Sequence, residues 1–148
     1  MLTLAAAVLG GLASADAREF YAALDLPAWA PPGGVFGPVW TLLYIGMAVS
    51  ACLYWKAAGW PAARRGMLLF VLQLAANALW SWLFFAWHLG AWAFADVVLL
   101  WCLIVANCWV FFRVHRLAGW LLVPYLAWVS FAAALTWAVW QRNPALLG

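Results

Sequence analysis

Fourteen of the 148 residues are tryptophan, and an indole brings a flat apolar face with a polar N–H edge to whatever it touches. Trp55, Trp60, Trp87, Trp92, Trp120 and Trp140 fall near the ends of apolar stretches, where an interfacial belt accounts for them. Trp40, Trp80, Trp82, Trp101, Trp128 and Trp137 lie further along those stretches and must fill space, face lipid or line a pocket. Helical spacing places several of them beside polar groups. Trp40 and Tyr44 are one turn apart. Gln73, Asn77, Trp80, Ser81 and Phe84 share a face, and Tyr125, Trp128, Ala132 and Leu135 form a stripe. An amide in mid-membrane is costly without a partner, so the Gln73/Asn77 face should point inward. Two readings of that face stand side by side: an interhelical hydrogen bond that glues a bundle, and the polar edge of a pocket for a flat, largely apolar ligand.

Other chemistries find less support. Asp96 is the sole acid within the four longest apolar stretches. It reads either as an anchor near a helix start, where the dipole favours an anion, or as a ligand or proton site. His88 and His115 fall in loops that the topology places on opposite faces, so they cannot clamp one haem iron or complete a Ser-His-Asp set. Cys52, Cys102 and Cys108 have no CxxC spacing and read as buried packing residues, with no metal site implied. There is no glycine-rich phosphate loop. Seven basic residues scattered over loops, with a net charge of +3, do not make a nucleic-acid stripe.

The elements that must position these side chains are membrane spans. With 71% hydrophobic and 7% charged residues and a mean hydropathy of +1.01, a chain this short cannot hide its apolar surface from water, and lipid is the solvent its exterior needs. Pro, Gly and charge cut it into five stretches, approximately Leu2–Ala17, Val35–Trp55, Gly66–Trp87, Ala91–Phe112 and Ala118–Trp140. The expected fold is an all-α, multi-pass bundle of five transmembrane helices in a single domain, residues 1–148. The first stretch is short for a hydrocarbon core of about 30 Å. Its rival reading is a signal peptide cleaved at Ala15-Asp16-Ala17, which would lack the usual basic leader. From Asp16 to Pro38 four prolines rule out one continuous helix, while Phe20, Tyr21, Leu24, Leu26 and Trp29 need burial. This first loop is expected to fold over the bundle end as a lid. Lys56, Arg64, Arg65, Arg113 and Arg116 gather on one side, which the positive-inside rule makes the inner one, with the N-terminus inside and the C-terminus outside. Ala6, Gly10 and Ser14 form a small-xxx-small stripe that could pair two copies through lipid.

Several ordered motifs resemble a known family. Phe20-Tyr21-Ala-Ala-Leu24-Asp-Leu-Pro27-Ala-Trp29-Ala-Pro31-Pro32, Val35-Phe36-Gly37-Pro38-Val39-Trp40 with Leu43-Tyr44, Gln73-Leu74-Ala-Ala-Asn77-Ala-Leu-Trp80 with Phe84-Phe85, Ala95-Asp96, Pro124-Tyr125-Leu126-Ala127-Trp128 with Phe131-Ala132, and Trp140-Gln141-Arg142-Asn143 are similar to the TspO/MBR family of tryptophan-rich sensory and translocator proteins, the peripheral-type benzodiazepine receptor family. The resemblance implies a five-helix bundle, often a homodimer, in the bacterial cell membrane for a chain of this kind. It implies a pocket for porphyrins such as protoporphyrin IX, with no cofactor required, and in some members for sterol-like or drug-like compounds. Carried over by position, the pocket would use Tyr21, Trp29, Trp40, Tyr44, Asn77, Trp80, Phe84, Trp128 and Ala132. Light-dependent porphyrin breakdown in some bacterial relatives would fall to Trp40 and Trp128, since indole is oxidisable and a bound porphyrin sensitises reactive oxygen at its own surface. Sensing, transport and degradation of a porphyrin, and a transporter or receptor for other hydrophobic ligands, all remain open at this stage. The chain departs from the family where Phe20 replaces a usual tryptophan. It departs again in the sterol motif, which is broken at Trp137 and Gln141.

Overall fold

A computed structural model describes residues 2–14 and 17–148. The described chain is all-helical: α1 (Leu2–Ala13), α2 (Ala17–Ala23), α3 (Phe36–Ala58, entered through a 3₁₀ turn at Gly33–Val35), α4 (Ala63–Ser81), α5 (Gly90–Val114), α6 (Arg116–Arg142) and α7 (Pro144–Leu147). Between α4 and α5 the helix widens into a π turn, Trp82–Ala86. Among the described residues, the helices containing α3, α4, α5 and α6 are long and apolar enough to cross a membrane. The leucines at 4, 12, 42, 68, 99 and 117 all point outward, as a lipid-solvated surface allows.

The first stretch is shorter than expected. α1 has 12 residues, a rise of about 18 Å, and ends in a turn where the Ser14 hydroxyl donates to the Gly10 carbonyl at 2.8 Å. Ala15 and Asp16 lie outside the described residues, and with them the cleavage site considered above. α1 packs along α4 and touches α3. Its small stripe faces inward: Ala6 and Gly10 are buried, and a Cβ on Gly10 would come to 3.4 Å from the Ser81 hydroxyl. The stripe is therefore spent within the chain and is not a lipid-facing surface for a second copy. Small residues here let α1 and α4 approach closely, the same physics applied to an internal neighbour.

Corners are tight and locally encoded. Gly59 closes α3 with φ +68° and ψ 159°, and its N–H donates to the Trp55 carbonyl; this positive-φ conformation is one that glycine adopts without the clash a Cβ would bring. His115 is extended and forms the whole corner between α5 and α6. Its Nδ1 accepts from the Ala118 N–H at 3.3 Å. α5 and α6 then pack as antiparallel neighbours, with Phe112 lying over Gly119. Pro124 sits inside α6 and frees a carbonyl one turn back.

From α2 to α3 the chain is held by specific ties. After α2 it turns at Pro27–Ala30, where the Ala30 N–H donates to Pro27 O at 2.9 Å. Asn143, just past α6, clasps Asp25: Oδ1 accepts from the Asp25 N–H at 2.8 Å and Nδ2 donates to the Asp25 carbonyl at 3.0 Å. Arg142 adds an exposed ion pair to Asp25 at 3.6 Å. Tyr21 and Leu24 bury themselves with Phe84, Leu135, Val139 and Leu147 in a small apolar cluster separate from the main core. The cysteines differ from expectation. Cys108 is buried, whereas Cys52 and Cys102 are exposed on the outer surface, because the apolar runs that hold them have a lipid face as well as a core face.

Candidate functional site

The main core fills one half of the bundle, and the other half holds a cavity of about 310 Å³. α1 contributes Ala7, Gly10, Gly11 and Ser14 to its wall. α2 contributes Ala17, Arg18 and Tyr21. Gly33, Phe36, Gly37, Trp40 and Tyr44 come from the start of α3. Asn77, Trp80, Ser81 and Phe85 come from α4 and the π turn, and Trp128 and Ala132 from α6.

A pair of stacked hydrogen-bonded layers forms the floor. Tyr44 donates its hydroxyl proton to Asn77 Oδ1 at 2.6 Å. One turn earlier on α4, Tyr125 donates to Gln73 Oε1 at 2.8 Å, and Gln73 Nε2 donates to Met47 Sδ at 3.8 Å. Both readings of the amide face thus have a place in the molecule. Gln73 is buried glue between α3, α4 and α6, while Asn77 reaches the cavity.

The walls are aromatic and mutually braced. Phe36 meets Tyr21 edge-on at 5.4 Å and Trp128 at 5.9 Å. Trp40 lies 5.8 Å from Tyr44 and 6.2 Å from Tyr125. Trp80 stacks on Phe84 at 5.3 Å with the planes 10° apart. The Tyr21 hydroxyl donates to the Pro31 carbonyl at 3.0 Å. Burial pushes that phenol above its ordinary range, so it remains a neutral donor holding the proline segment. The indole nitrogens of Trp80 and Trp128 are buried and lack a hydrogen-bond partner in the protein. Leaving such a donor unmade costs about 1–3 kcal/mol, a cost that a ligand acceptor would remove.

Of the nine residues expected at a pocket, Tyr21, Trp40, Tyr44, Asn77, Trp80, Trp128 and Ala132 line this cavity. Trp29 and Phe84 do not. Trp29 stands at the tip of the Pro27–Ala30 turn, 51% exposed. It meets Phe131 edge-on at 5.8 Å, and Phe131 in turn backs Trp128 at 5.5 Å. Phe84 lies behind Trp80 because the π turn adds a residue to the helical repeat. Phe85 faces the cavity in its place. Arg18, Phe36, Phe85 and the small face of α1 were missed. Phe36 is one turn before Trp40, so the same spacing rule finds it. Arg18 is three residues before Tyr21 on a short helix that a proline-rich segment hides.

The remaining candidates lie elsewhere. Asp96 is buried in α5 with Oδ2 unpartnered and is not part of the cavity wall. Trp101 donates to the Ser130 hydroxyl at 2.8 Å on the outer surface, and Trp137 is 47% exposed beside Phe94. His88 stacks on Phe20 at 4.1 Å at the cavity end. His115 caps α6 at the far end of α5.

Comparison with known proteins agrees with this architecture. The TspO/MBR family profile matches residues 1–141. A tryptophan-rich protein TspO from Chlorobaculum tepidum is 42% identical over 132 residues, covering 86% of this chain and 82% of the relative. The human translocator protein is 37% identical, covering 86% and 77%. A tryptophan-rich sensory protein from Cereibacter sphaeroides is 35% identical, covering 94% and 85%. Matched along nearly its whole length, and with four apolar helices of membrane-crossing length, the chain is an integral membrane protein that belongs to the TspO/MBR family.

Proposed function

We propose that this protein is a membrane tetrapyrrole-binding protein of the sensory/translocator kind, taking porphyrins such as protoporphyrin IX into the cavity between α1, α3, α4 and α6. The observation that carries the reading is the wall itself: Trp40, Trp80 and Trp128 with Phe36 and Phe85 around one space, two of the indole N–H groups lacking acceptors. Broad aromatic faces suit a flat conjugated ring, and unpaired donors suit the polar groups at its rim. In this reading α1 is the fifth helix of the bundle, reaching the far interface by local thinning. The Pro27–Pro32 segment is the lid, held down by Asn143. The N-terminus and the arginine-rich loops face inward. Trp40 and Trp128 are the residues positioned for photo-oxidation of a bound porphyrin. Two copies associate through a surface other than the α1 stripe.

The test is a titration of the purified protein with protoporphyrin IX, followed by tryptophan-fluorescence quenching, then product analysis in light and in darkness. Saturable quenching at one porphyrin per chain is expected. Quenching that only rises linearly with porphyrin, as simple partition into detergent would give, sinks the proposal. New pigments formed in light alone would extend it to degradation.

A further inference from the structure

We propose that Arg18 anchors an anionic group of the ligand, so that the cavity selects flat apolar compounds bearing a carboxylate over the same compounds with that carboxylate esterified. This rests on reading the cavity as a ligand site. Of the residues that line it, Arg18 alone carries a formal charge. It is exposed on α2, and so stands at the open edge of the cavity, away from the Tyr44–Asn77 floor. Among the described residues the ion pair is Asp25–Arg142, and Arg18 takes no part in it. Glu19 is its neighbour in sequence, but consecutive residues on a helix do not face each other.

The rest of the polar lining points the same way. The hydroxyl protons of Ser14, Tyr21 and Tyr44 are committed to Gly10 O, Pro31 O and Asn77 Oδ1. The indole N–H groups of Trp80 and Trp128 are buried and have no acceptor in the protein, and no described carboxylate lines the space. Arg18 is thus the charged group of a lining whose other polar members are neutral hydroxyls, indoles and one amide. That lining suits a ligand that brings one negative group to the edge and an apolar body inside. A guanidinium at the edge can hold a carboxylate through two parallel hydrogen bonds, while the apolar body lies among the indoles. Such an amphiphile would enter with its charged end last, leaving that end near water and the ring inside.

The experiment compares protoporphyrin IX with its dimethyl ester, by fluorescence quenching in nanodiscs, for the unmodified protein, Arg18→Gln and Arg18→Lys. The unmodified protein should prefer the free acid by about tenfold, the range of a charge-assisted hydrogen bond. Arg18→Gln should erase the preference by weakening the acid alone, and Arg18→Lys should restore part of it. The preference of the unmodified protein should shrink as salt rises, because the pair is solvent-accessible. Equal affinity of the unmodified protein for acid and ester overturns the role of Arg18 and leaves the porphyrin site standing. So does an undiminished preference in Arg18→Gln. Failure of both compounds to bind saturably overturns the site and the anchor together.

Discussion

The two ends of the bundle are built by opposite rules. At the end carrying Lys56, Arg64, Arg65, Arg113 and Arg116, the inward-facing large side chains pack against one another. Tyr54 stacks on Phe111 at 4.1 Å with the rings 2° from parallel, and Phe70 joins them at 6.1 Å. Gly66 lies directly under the Tyr54 ring. Ser50 donates to the Ala118 carbonyl at 2.6 Å, and Asn107 Nδ2 to the Gly66 carbonyl at 3.2 Å, although Asn107 Oδ1 is left unpartnered. At the other end the aromatic residues are just as dense, yet they stand around a space, and the glycines at 10, 11, 33 and 37 line it rather than let rings fill it. Similar composition gives a core in one half and a cavity in the other. What differs is where small residues sit relative to large ones. A glycine opposite a ring closes a gap, and several small residues opposite several rings leave one.

If that contrast is right, substitutions in the two halves should fail differently. The largest effect is expected for Phe111→Ala, which removes the centre of the packed stack and should cost about 3–5 kcal/mol. Thermal melting in detergent should show it, and little folded protein should remain to assay for binding. Asn143→Ala removes three hydrogen bonds, to the Asp25 N–H and carbonyl and to the Val139 carbonyl, at about 2 kcal/mol felt mainly in the open half. Limited proteolysis should then cut near Pro27–Ala30 sooner while the melting temperature moves less. A drop in melting temperature as large as that of Phe111→Ala would erase the distinction between the halves. Trp40→Phe or Trp128→Phe should leave stability nearly intact and weaken porphyrin binding by about 1 kcal/mol, with any photodegradation falling further. The same change at Trp55 or Trp120, both exposed, should spare both readouts. Identical behaviour of the four variants would make the cavity indoles ordinary packing. Smallest is Arg142→Gln: its pair with Asp25 is solvent-exposed, so less than about 0.5 kcal/mol should be lost, and protease sensitivity should stay near that of the unmodified protein.

How far the sequence carried this picture depends on which rule each residue obeys. Trp40 and Tyr44 on one helix, Asn77 and Trp80 on another and Trp128 with Ala132 on a third are read directly from a repeat of 3.6. Those positions do meet around one space. Phe84 and Phe85 exchange places because five residues adopt a wider turn, which no hydrophobic pattern signals. Gln73 and Asn77 look alike on the helix face. Only the heights of Tyr125 and Met47 on neighbouring helices decide that one is glue and the other reaches the cavity. The α1 stripe is legible as a close-approach surface, but its partner is not, and α4 takes the place assigned to a second copy. Trp29 and Arg18 both lie in the proline-bearing segment, where periodicity says nothing. There the tie to Asn143, 118 residues away in sequence, sets the geometry.

That tie has a consequence for the order in which the molecule can be made. The residues that clasp Asp25 come from the end of α6, and Leu147, fully buried, completes the cluster around Tyr21 and Leu24. A chain emerging from the ribosome makes the proline segment well before its fasteners, so contacts this distant in sequence cannot form until α6 and the residues after it have been made. The packed end can begin to assemble as soon as α3, α4 and α5 are in the bilayer. The cavity is the final part to be finished. Until then Tyr21 and Leu24 lack the Leu135, Val139 and Leu147 side chains that bury them in the assembled molecule.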